Sequence, residues 1–339
     1  MSVKSTRSII QFVILLGIGV LLIWLSLRQI TPEQQTEIIF AFQTADYFWV
    51  TISLIIAWLS HFLRAYRWNY LLSPLGYKTN LLNANCHVLV GYLANYGIPR
   101  MGEISRCTLA AKYDDVPFEV ALGTVITERI VDFAVFALIF ALTLILQFNE
   151  LIGLANELVF DPLKLRMIGI SQSPVKLIIL ISSILLLIAL FFLFRKKISG
   201  LLKGKLGGIV KGLGSGLGSI RKMKNPFQFI ILSLLIWACY FYSLYVCFFA
   251  LKGTSHLGQK ECLSLLLFGV FGVIFTPGGL GAYPAILGGI LFITYHVDKV
   301  SSIALPWLTW TTQFILILAL GLLSLIILPI YNRKKNVVS

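Results

Sequence analysis

Three charged residues, Glu128, Arg129 and Asp132, lie inside an apolar stretch over 118–148 that is long enough to cross a bilayer. On a helix beginning at Phe118, Glu128 and Asp132 would lie roughly 15 and 21 Å along the axis, near the middle of a hydrocarbon core about 30 Å thick. A charge at that depth costs several kcal/mol, so such groups usually face a bundle interior, pair with one another and mark a pathway. The alternative is an ion pair that only fixes two helices together, although buried pairs stabilise poorly compared with apolar packing.

The composition is that of an integral membrane protein. Hydrophobic residues make up 58% of the 339 residues and charged residues 12%, whereas soluble domains average about 45–50% and 25%. Apolar stretches long enough for a membrane helix lie at 9–27, 48–72, 118–148, 175–194, 227–251 and 303–330. Two shorter stretches, 81–97 and 262–295, are interrupted by glycine and proline. We therefore predict an all-α polytopic membrane protein with six to eight transmembrane helices and two broken, re-entrant hairpins.

The distribution of positive charge predicts the orientation of the chain. The net charge is +14. If six stretches cross fully and the N-terminus is cytoplasmic, most lysines and arginines fall on the cytoplasmic side, as membrane proteins prefer. This distribution favours a multi-pass protein of the cell (plasma or inner) membrane with both termini in the cytoplasm, and it argues against nucleic acid as a partner. If both broken stretches also cross, eight crossings result and the ends of the chain keep their side.

The order of the stretches occurs twice, with opposite direction in the membrane. Each half contains a full span, a re-entrant hairpin and a second full span, which is typical of inverted repeats in transporters. We expect one membrane domain over 1–339. Its parts are an anchor helix and outer loop at 1–47, a first repeat half at 48–148, a connecting helix and basic cytoplasmic loop at 149–226, a second repeat half at 227–330 and a basic tail at 331–339.

Glycine and proline interrupt both hairpins. The residues concerned are Pro99 and Gly102 in the first break, and Pro277, Gly278, Gly279 and Gly281 in the second. Irregular backbone at membrane depth is tolerated only where protein or water shields it. The N–H groups of the second break could point into a cavity as an anion nest, and a tight turn between closely packed helices is the alternative. The first break is richer in polar groups, because Arg100 and Arg106 flank Glu103 and Asn95 precedes them.

Further basic residues lie near the cytoplasmic ends of the spans. Arg64 and Arg67 are three positions apart, beside Tyr66 and Trp68, and they could snorkel to the headgroups. Alternatively, they converge with Arg100 and Arg106 of the first hairpin to form a clamp for phosphate. A guanidinium group suits this role because it binds two phosphate oxygens at once. The loop 195–226 carries nine basic residues and no acidic one, which predicts an amphipathic element on anionic lipid.

Four motifs, in this order, resemble the membrane region of the lysylphosphatidylglycerol synthase/flippase family. They are Arg64-Ala65-Tyr66-Arg67-Trp68, the stretch 95–106, Glu128-Arg129-x-x-Asp132 and Pro277-Gly278-Gly279-Leu280-Gly281. The resemblance extends over 10–325. One departure is Pro284, which stands where many relatives carry an acidic residue after the last motif. The full-length synthases of the family also carry a soluble aminoacyltransferase domain, for which we expect no room in this chain.

The resemblance implies a flippase-like fold whose polar residues line a cavity large enough for a lipid headgroup. The residues expected to bind the lipid phosphate are Arg64, Arg67, Arg100 and Arg106. The residues expected to line the polar cavity are Asn95, Glu103, Glu128, Arg129 and Asp132. The expected function is to bind or translocate an anionic phospholipid or polyprenyl-phosphate lipid, without catalysis, cofactor or metal. A membrane enzyme or a scaffold that acts on lipid-linked cell-envelope precursors is the alternative.

Overall fold

The structure is a computed structural model, and it describes residues 31–98, 100–155, 223 and 225–333. Several sequence predictions concern residues outside these ranges. They are the spans at 9–27 and 175–194, most of the loop 195–226, Pro99, and the tail after Arg333.

Within the described ranges the regular secondary structure is α-helical, with short 3-10 turns. The helices are α1 (Pro32–Gln43), α2 (Tyr47–Leu72), α3 (Leu81–Gly97), α4 (Met101–Tyr113), α5 (Phe118–Leu146), α6 (Phe148–Ala155), α7 (Pro226–Cys247), α8 (Gln259–Phe275), α9 (Ala282–Ile293) and α10 (Lys299–Arg333). Four of them, α2, α5, α7 and α10, are long and apolar enough to cross a membrane. The predicted all-α fold is therefore confirmed for the described residues.

Local sequence explains where several helices begin. The side chain of Asp46 accepts a hydrogen bond from the Phe48 N–H at the start of α2, and Asn80 does the same for the Leu82 N–H at the start of α3. Such caps satisfy N–H groups that have no partner inside the helix. Pro226 stands at the start of α7, where its missing N–H and fixed φ are tolerated best.

Both predicted hairpin breaks interrupt the helices where the sequence expects them. Between α3 and α4 the chain turns at Ile98 and Arg100, and Arg100 has a φ of +66°. Between α8 and α9 the chain passes through a 3-10 turn at Pro277–Gly279. Three glycines of this second break have positive φ, which only glycine adopts at no steric cost: Gly278 (+59°), Gly279 (+79°) and Gly281 (+72°).

The two arms of the first hairpin pack at backbone distance because two glycines face each other. A Cβ atom added to Gly91 on α3 would lie 2.9 Å from the carbonyl oxygen of Gly102 on α4. A Cβ atom on Gly102 would overlap the Gly91 carbonyl and the Asn95 side chain. Asn95 also accepts a hydrogen bond from the Gly102 N–H at 2.7 Å. These contacts fix how α4 leaves the break and hence where its side chains point.

The helix pairings of the first half recur in the second half. The long helices α2 and α7 pack against each other. Helix α3 packs against α2, α4 and α10, and its counterpart α8 packs against α7, α9 and α5. The pairs α4–α5 and α9–α10 also correspond. Exchanging the two halves therefore maps these contacts onto one another.

Helices α2 and α7 run antiparallel. Near one end of the contact, Ser53 Oγ lies 2.7 Å from the Ser243 carbonyl oxygen, and Ser243 Oγ donates back to the Ser53 carbonyl at 3.1 Å. Near the other end, Arg67 donates to Ser233 Oγ at 2.7 Å. Residues late in α2 thus meet residues early in α7.

Candidate functional site

Three helices bring five charged side chains together inside the bundle. On α2, Arg64 lies eight residues, about 12 Å, before the last residue of the helix. On α5, Glu128 lies ten residues, about 15 Å, after the first residue, and Asp132 follows one turn later. Positions three or four apart share a helix face, so Arg64 and Arg67 form one pair of side chains and the two carboxylates another. Helix α4 adds Arg106.

The five side chains form one continuous ion-pair chain, which we call the arginine–carboxylate cluster (Arg64, Arg67, Arg106, Glu128 and Asp132). Asp132 lies between Arg64, at 2.6 Å, and Arg67, at 2.9 Å. Glu128 lies between Arg106, at 2.5 Å, and Arg67, at 3.7 Å. All five residues are buried, with at most 7% exposure. Arg64 and Arg67 therefore point into the bundle and do not snorkel toward the headgroups.

A second layer of side chains orients the arginines. Arg64 donates a hydrogen bond to the hydroxyl of Tyr240 at 3.1 Å, and Arg67 donates to Ser233. The Arg106 guanidinium lies 3.9 Å from the centre of the Trp68 ring, an arrangement that suits a flat, weakly hydrated cation.

Trp68 is itself held in place from α5. Its Nε1–H donates to Thr124 Oγ1 at 2.8 Å, and both residues are buried. The motif over 64–68 therefore serves the cluster twice, because it supplies two arginines and the aromatic surface against which a third one lies.

The cluster has more positive than negative charge. Three arginines face two carboxylates, which leaves a formal charge of +1 when both acids are ionised. Five guanidinium nitrogens have no hydrogen-bond partner among the described residues, Nε of Arg64, Arg67 and Arg106 and Nη2 of Arg67 and Arg106, and the same holds for Glu128 Oε1 and Asp132 Oδ1. Buried charges and donors are costly unless they are paired. The arrangement is thus chemically suited to accept an anion.

Arg129 is next to Glu128 in sequence but points to a different side of α5. Its guanidinium lies 2.6 Å from a carboxylate oxygen of Glu103 on α4. The Arg129 side chain is 50% exposed and that of Glu103 is 26% exposed. We call these two residues the outer ion pair. They belong to the predicted set of polar residues, but the structure separates them from the buried cluster.

A small crevice lies between the buried cluster and the outer ion pair. Its polar lining is Arg64, Tyr92, Asn95, Glu103, Arg106 and Arg129. The crevice encloses about 20 Å³, which is room for about one water molecule. The sequence predicts a cavity large enough for a headgroup, and this crevice is much smaller. In the conformation described here it is closed to a headgroup.

Outside the outer ion pair, an open apolar groove of about 310 Å³ runs along α5. Its apolar lining is Leu122, Val125, Ile126, Ile130 and Phe133. Glu103, Val125 and Arg129 line both the groove and the crevice. The outer ion pair therefore stands between an apolar surface and a cationic interior.

The remaining predicted residues lie at the two breaks. Arg100 is exposed at the turn of the first hairpin, and the structure does not bring it to the buried arginines. In the second break, the N–H groups of Gly279 and Leu280 donate to the carbonyls of Thr276 and Pro277, at 3.0 and 3.2 Å. These bonds correspond to the tight-turn alternative, because N–H groups of an anion nest would point away from the backbone.

The two breaks touch each other. The ring of Tyr96, at the end of α3, packs against Gly278, where a Cβ atom would overlap it. Trp310 on α10 donates a hydrogen bond to the Gly278 carbonyl at 2.9 Å, and Phe314 stacks on Trp310 and meets Tyr96 edge-on. We call this contact the break junction (Tyr96, Gly278, Trp310 and Phe314).

Sequence reasoning did not identify the polar residues of α7. Ser233 and Tyr240 are seven positions apart, two helical turns, and they bind Arg67 and Arg64. The sequence did contain a signal for these residues: two polar side chains two turns apart in an apolar span lie on the same face of the helix, which indicates that this face contacts other polar groups.

The helical architecture and the buried charge cluster define a polytopic membrane protein with a polar centre. A model of the family described as "Lysylphosphatidylglycerol synthase TM region" matches residues 9–321. The chain therefore belongs to this family, and the resemblance predicted from its motifs is confirmed.

A UPF0104 membrane protein of Methanocaldococcus jannaschii is 32% identical over 91 residues, which cover 26% of this chain and 27% of that protein. The match thus spans about a quarter of this curated relative. No solved structure matches the chain significantly.

Proposed function

We propose that this protein binds an anionic lipid, a phospholipid or a polyprenyl phosphate, and translocates it across the cell membrane. The observation that carries the proposal is the arginine–carboxylate cluster, in which three buried arginines face two carboxylates. A phosphate group would supply the missing negative charge and accept hydrogen bonds from the free guanidinium N–H groups. The proposal requires no catalytic group.

The two carboxylates have a defined role in this proposal. Without lipid, Glu128 and Asp132 hold the arginines apart and limit the charge of the site. When a phosphate enters, its oxygens compete with the carboxylates for the same donors. The arginines exchange one anionic partner for another, so neither they nor the phosphate is left unpaired in the hydrocarbon. The electrostatic free energy of each stage of translocation therefore stays low. In this proposal Arg100, which is exposed at the hairpin turn, meets a phosphate before the phosphate reaches the cluster.

Alternating access is the mechanism that we propose for the translocation. The exchange symmetry of the helix pairings supports an inverted repeat with one half over 48–148 and the other over 227–330. Re-entrant hairpins at α3–α4 and α8–α9, with both chain termini in the cytoplasm, belong to the same proposal. In such repeats the binding site lies between the halves, and rocking of one half against the other exposes it to either side. The narrow crevice then represents a closed conformation.

Lipid transfer in reconstituted vesicles tests the proposal. The purified protein is placed in phosphatidylcholine vesicles that contain a trace of fluorescent phosphatidylglycerol, and the lipid that reaches the inner leaflet is measured by protection from a membrane-impermeant quencher. Arg106→Ala should abolish transfer, whereas Lys252→Ala, an exposed loop position, should not change it. Transfer by Arg106→Ala at the wild-type rate would refute the assignment of the cluster.

A further inference from the structure

The outer ion pair is unusually exposed for charges on a membrane helix. Arg129 is located about 16 Å from the start of α5, yet its side chain is 50% exposed. Its neighbours on the outer surface are apolar, and Phe133, one turn further, is 70% exposed. Charged groups facing hydrocarbon are expensive unless water or another polar group reaches them. We therefore expect a polar ligand to reach this site laterally, from within the lipid bilayer.

Two spaces with different chemistry meet at this pair. On the inner side is the crevice of about 20 Å³, which is bordered by Arg64 and Arg106. On the outer side is the apolar groove of about 310 Å³, a volume at the lower end of the range for ligand sites. Because Glu103 and Arg129 line both spaces, they are the barrier between them.

We propose that the apolar groove on α5 holds a hydrocarbon chain of the transported lipid and that the outer ion pair is a lateral gate for its headgroup. This inference rests on the function proposed above and names the route by which the lipid arrives. The groove and the crevice share Glu103, Val125 and Arg129 in their linings, so one lipid can place its chain in the groove and its phosphate at the pair. The occupant to which we commit is a lipid that joins an apolar chain to a phosphate.

The gate opens by exchange of anions. The phosphate takes the place of Glu103 on Arg129, and the released Glu103 swings away from the crevice. The phosphate can then pass to Arg106, which borders the same crevice and carries N–H groups without a partner among the described residues. Arg129 keeps an anionic partner throughout, so the opening costs little electrostatic energy.

Filling the groove tests the inference. Ile126→Trp places a large side chain in the groove, and Ile145→Trp places the same side chain on the same helix at an exposed position outside it. In the vesicle assay with fluorescent phosphatidylglycerol, Ile126→Trp should lower transfer by about fivefold or more, since overfilling a binding surface weakens occupancy strongly. Ile145→Trp should transfer at the wild-type rate.

Binding of the soluble headgroup separates this inference from the proposed function. Glycerol phosphate has no hydrocarbon chain, so it should raise the thermal stability of the detergent-solubilised wild type and of Ile126→Trp equally, and that of Arg106→Ala not at all. If Ile126→Trp transfers lipid normally while Arg106→Ala does not, the groove is not the route and the proposed function stands. If Arg106→Ala also transfers normally, or the wild type transfers no lipid, both proposals fail.

The two gate residues have their own test. The single variant Glu103→Arg places like charges together and should slow transfer, whereas Glu103→Arg combined with Arg129→Glu restores an ion pair and should recover most of it. If the double variant transfers lipid as slowly as Glu103→Arg, the exchange mechanism is overturned, because restoring the ion pair would then not restore transfer.

Discussion

Neutralising one carboxylate of the arginine–carboxylate cluster should destabilise the protein as well as inactivate it. Glu128 is 1% exposed and lies 2.5 Å from Arg106 and 3.7 Å from Arg67. The variant Glu128→Gln leaves three arginines facing one carboxylate. Removing one partner of a buried ion pair costs about 3–5 kcal/mol, and we expect the lower value because glutamine still accepts a hydrogen bond. At roughly 2 °C per kcal/mol for a large chain, the apparent melting temperature should fall by roughly 6 °C.

A double-mutant cycle with Arg106 isolates the charge effect. Arg106→Met removes the opposite charge and keeps a side chain that packs well against the Trp68 ring. The double variant retains the formal charge of the wild-type cluster, so it should lose only about 1–2 kcal/mol, much less than the sum of the single variants. Melting of the purified protein in detergent measures stability, and the vesicle assay measures transfer. We expect transfer to be absent in all three variants.

Two results would refute this reasoning. A Glu128→Gln variant that melts with the wild type would show that the carboxylate does not balance the arginines. A double variant whose loss equals the sum of the single losses would show that Glu128 and Arg106 do not interact. Lys252→Ala, which changes one positive charge in an exposed loop, is the matched control and should leave melting and transfer unchanged.

Other substitutions test separate parts of the structure. Arg129→Ala leaves the Glu103 carboxylate without its partner beside an apolar surface and should lower the melting temperature, because an unpaired charge at membrane depth is costly; melting with the wild type would contradict this assignment. Gly102→Ala should lower stability by about 1–3 kcal/mol, since its Cβ overlaps the Gly91 carbonyl; Gly97→Ala, with open space around the added atom, is the control in the same melting measurement. Ser53→Ala removes a reciprocal bond at the α2–α7 contact and should cost about 1 kcal/mol, so an unchanged melting temperature would show that the contact is dispensable.

The positions of the long helices could be predicted from the sequence. The stretches 48–72, 118–148 and 227–251 correspond closely to α2, α5 and α7 with its 3-10 extension. Long apolar runs determine these elements because a bilayer demands a minimum length and helical backbone pairing. The two hairpin breaks were predictable for a similar reason, since glycine and proline disturb a helix wherever they cluster.

The partners of the charged residues could not be predicted in the same way. The sequence places Arg129 beside Glu128, but neighbouring residues point about 100° apart around a helix, and only the packing of α4 and α5 decides which one faces the interior. The pairing of Arg64 with Asp132 joins residues 68 positions apart, across a helix contact that periodicity does not specify. The volume of the crevice likewise depends on side-chain packing, which the sequence pattern does not specify.

The break junction has a mechanical consequence. The Tyr96 ring lies directly on the backbone of Gly278, and Trp310 holds that backbone in place through its carbonyl. The irregular segment of each half is thus wedged against the irregular segment of the other. In the proposed alternating-access mechanism, a displacement of the first hairpin would be transmitted through this contact to the second, and opening of one side would be coupled to closing of the other.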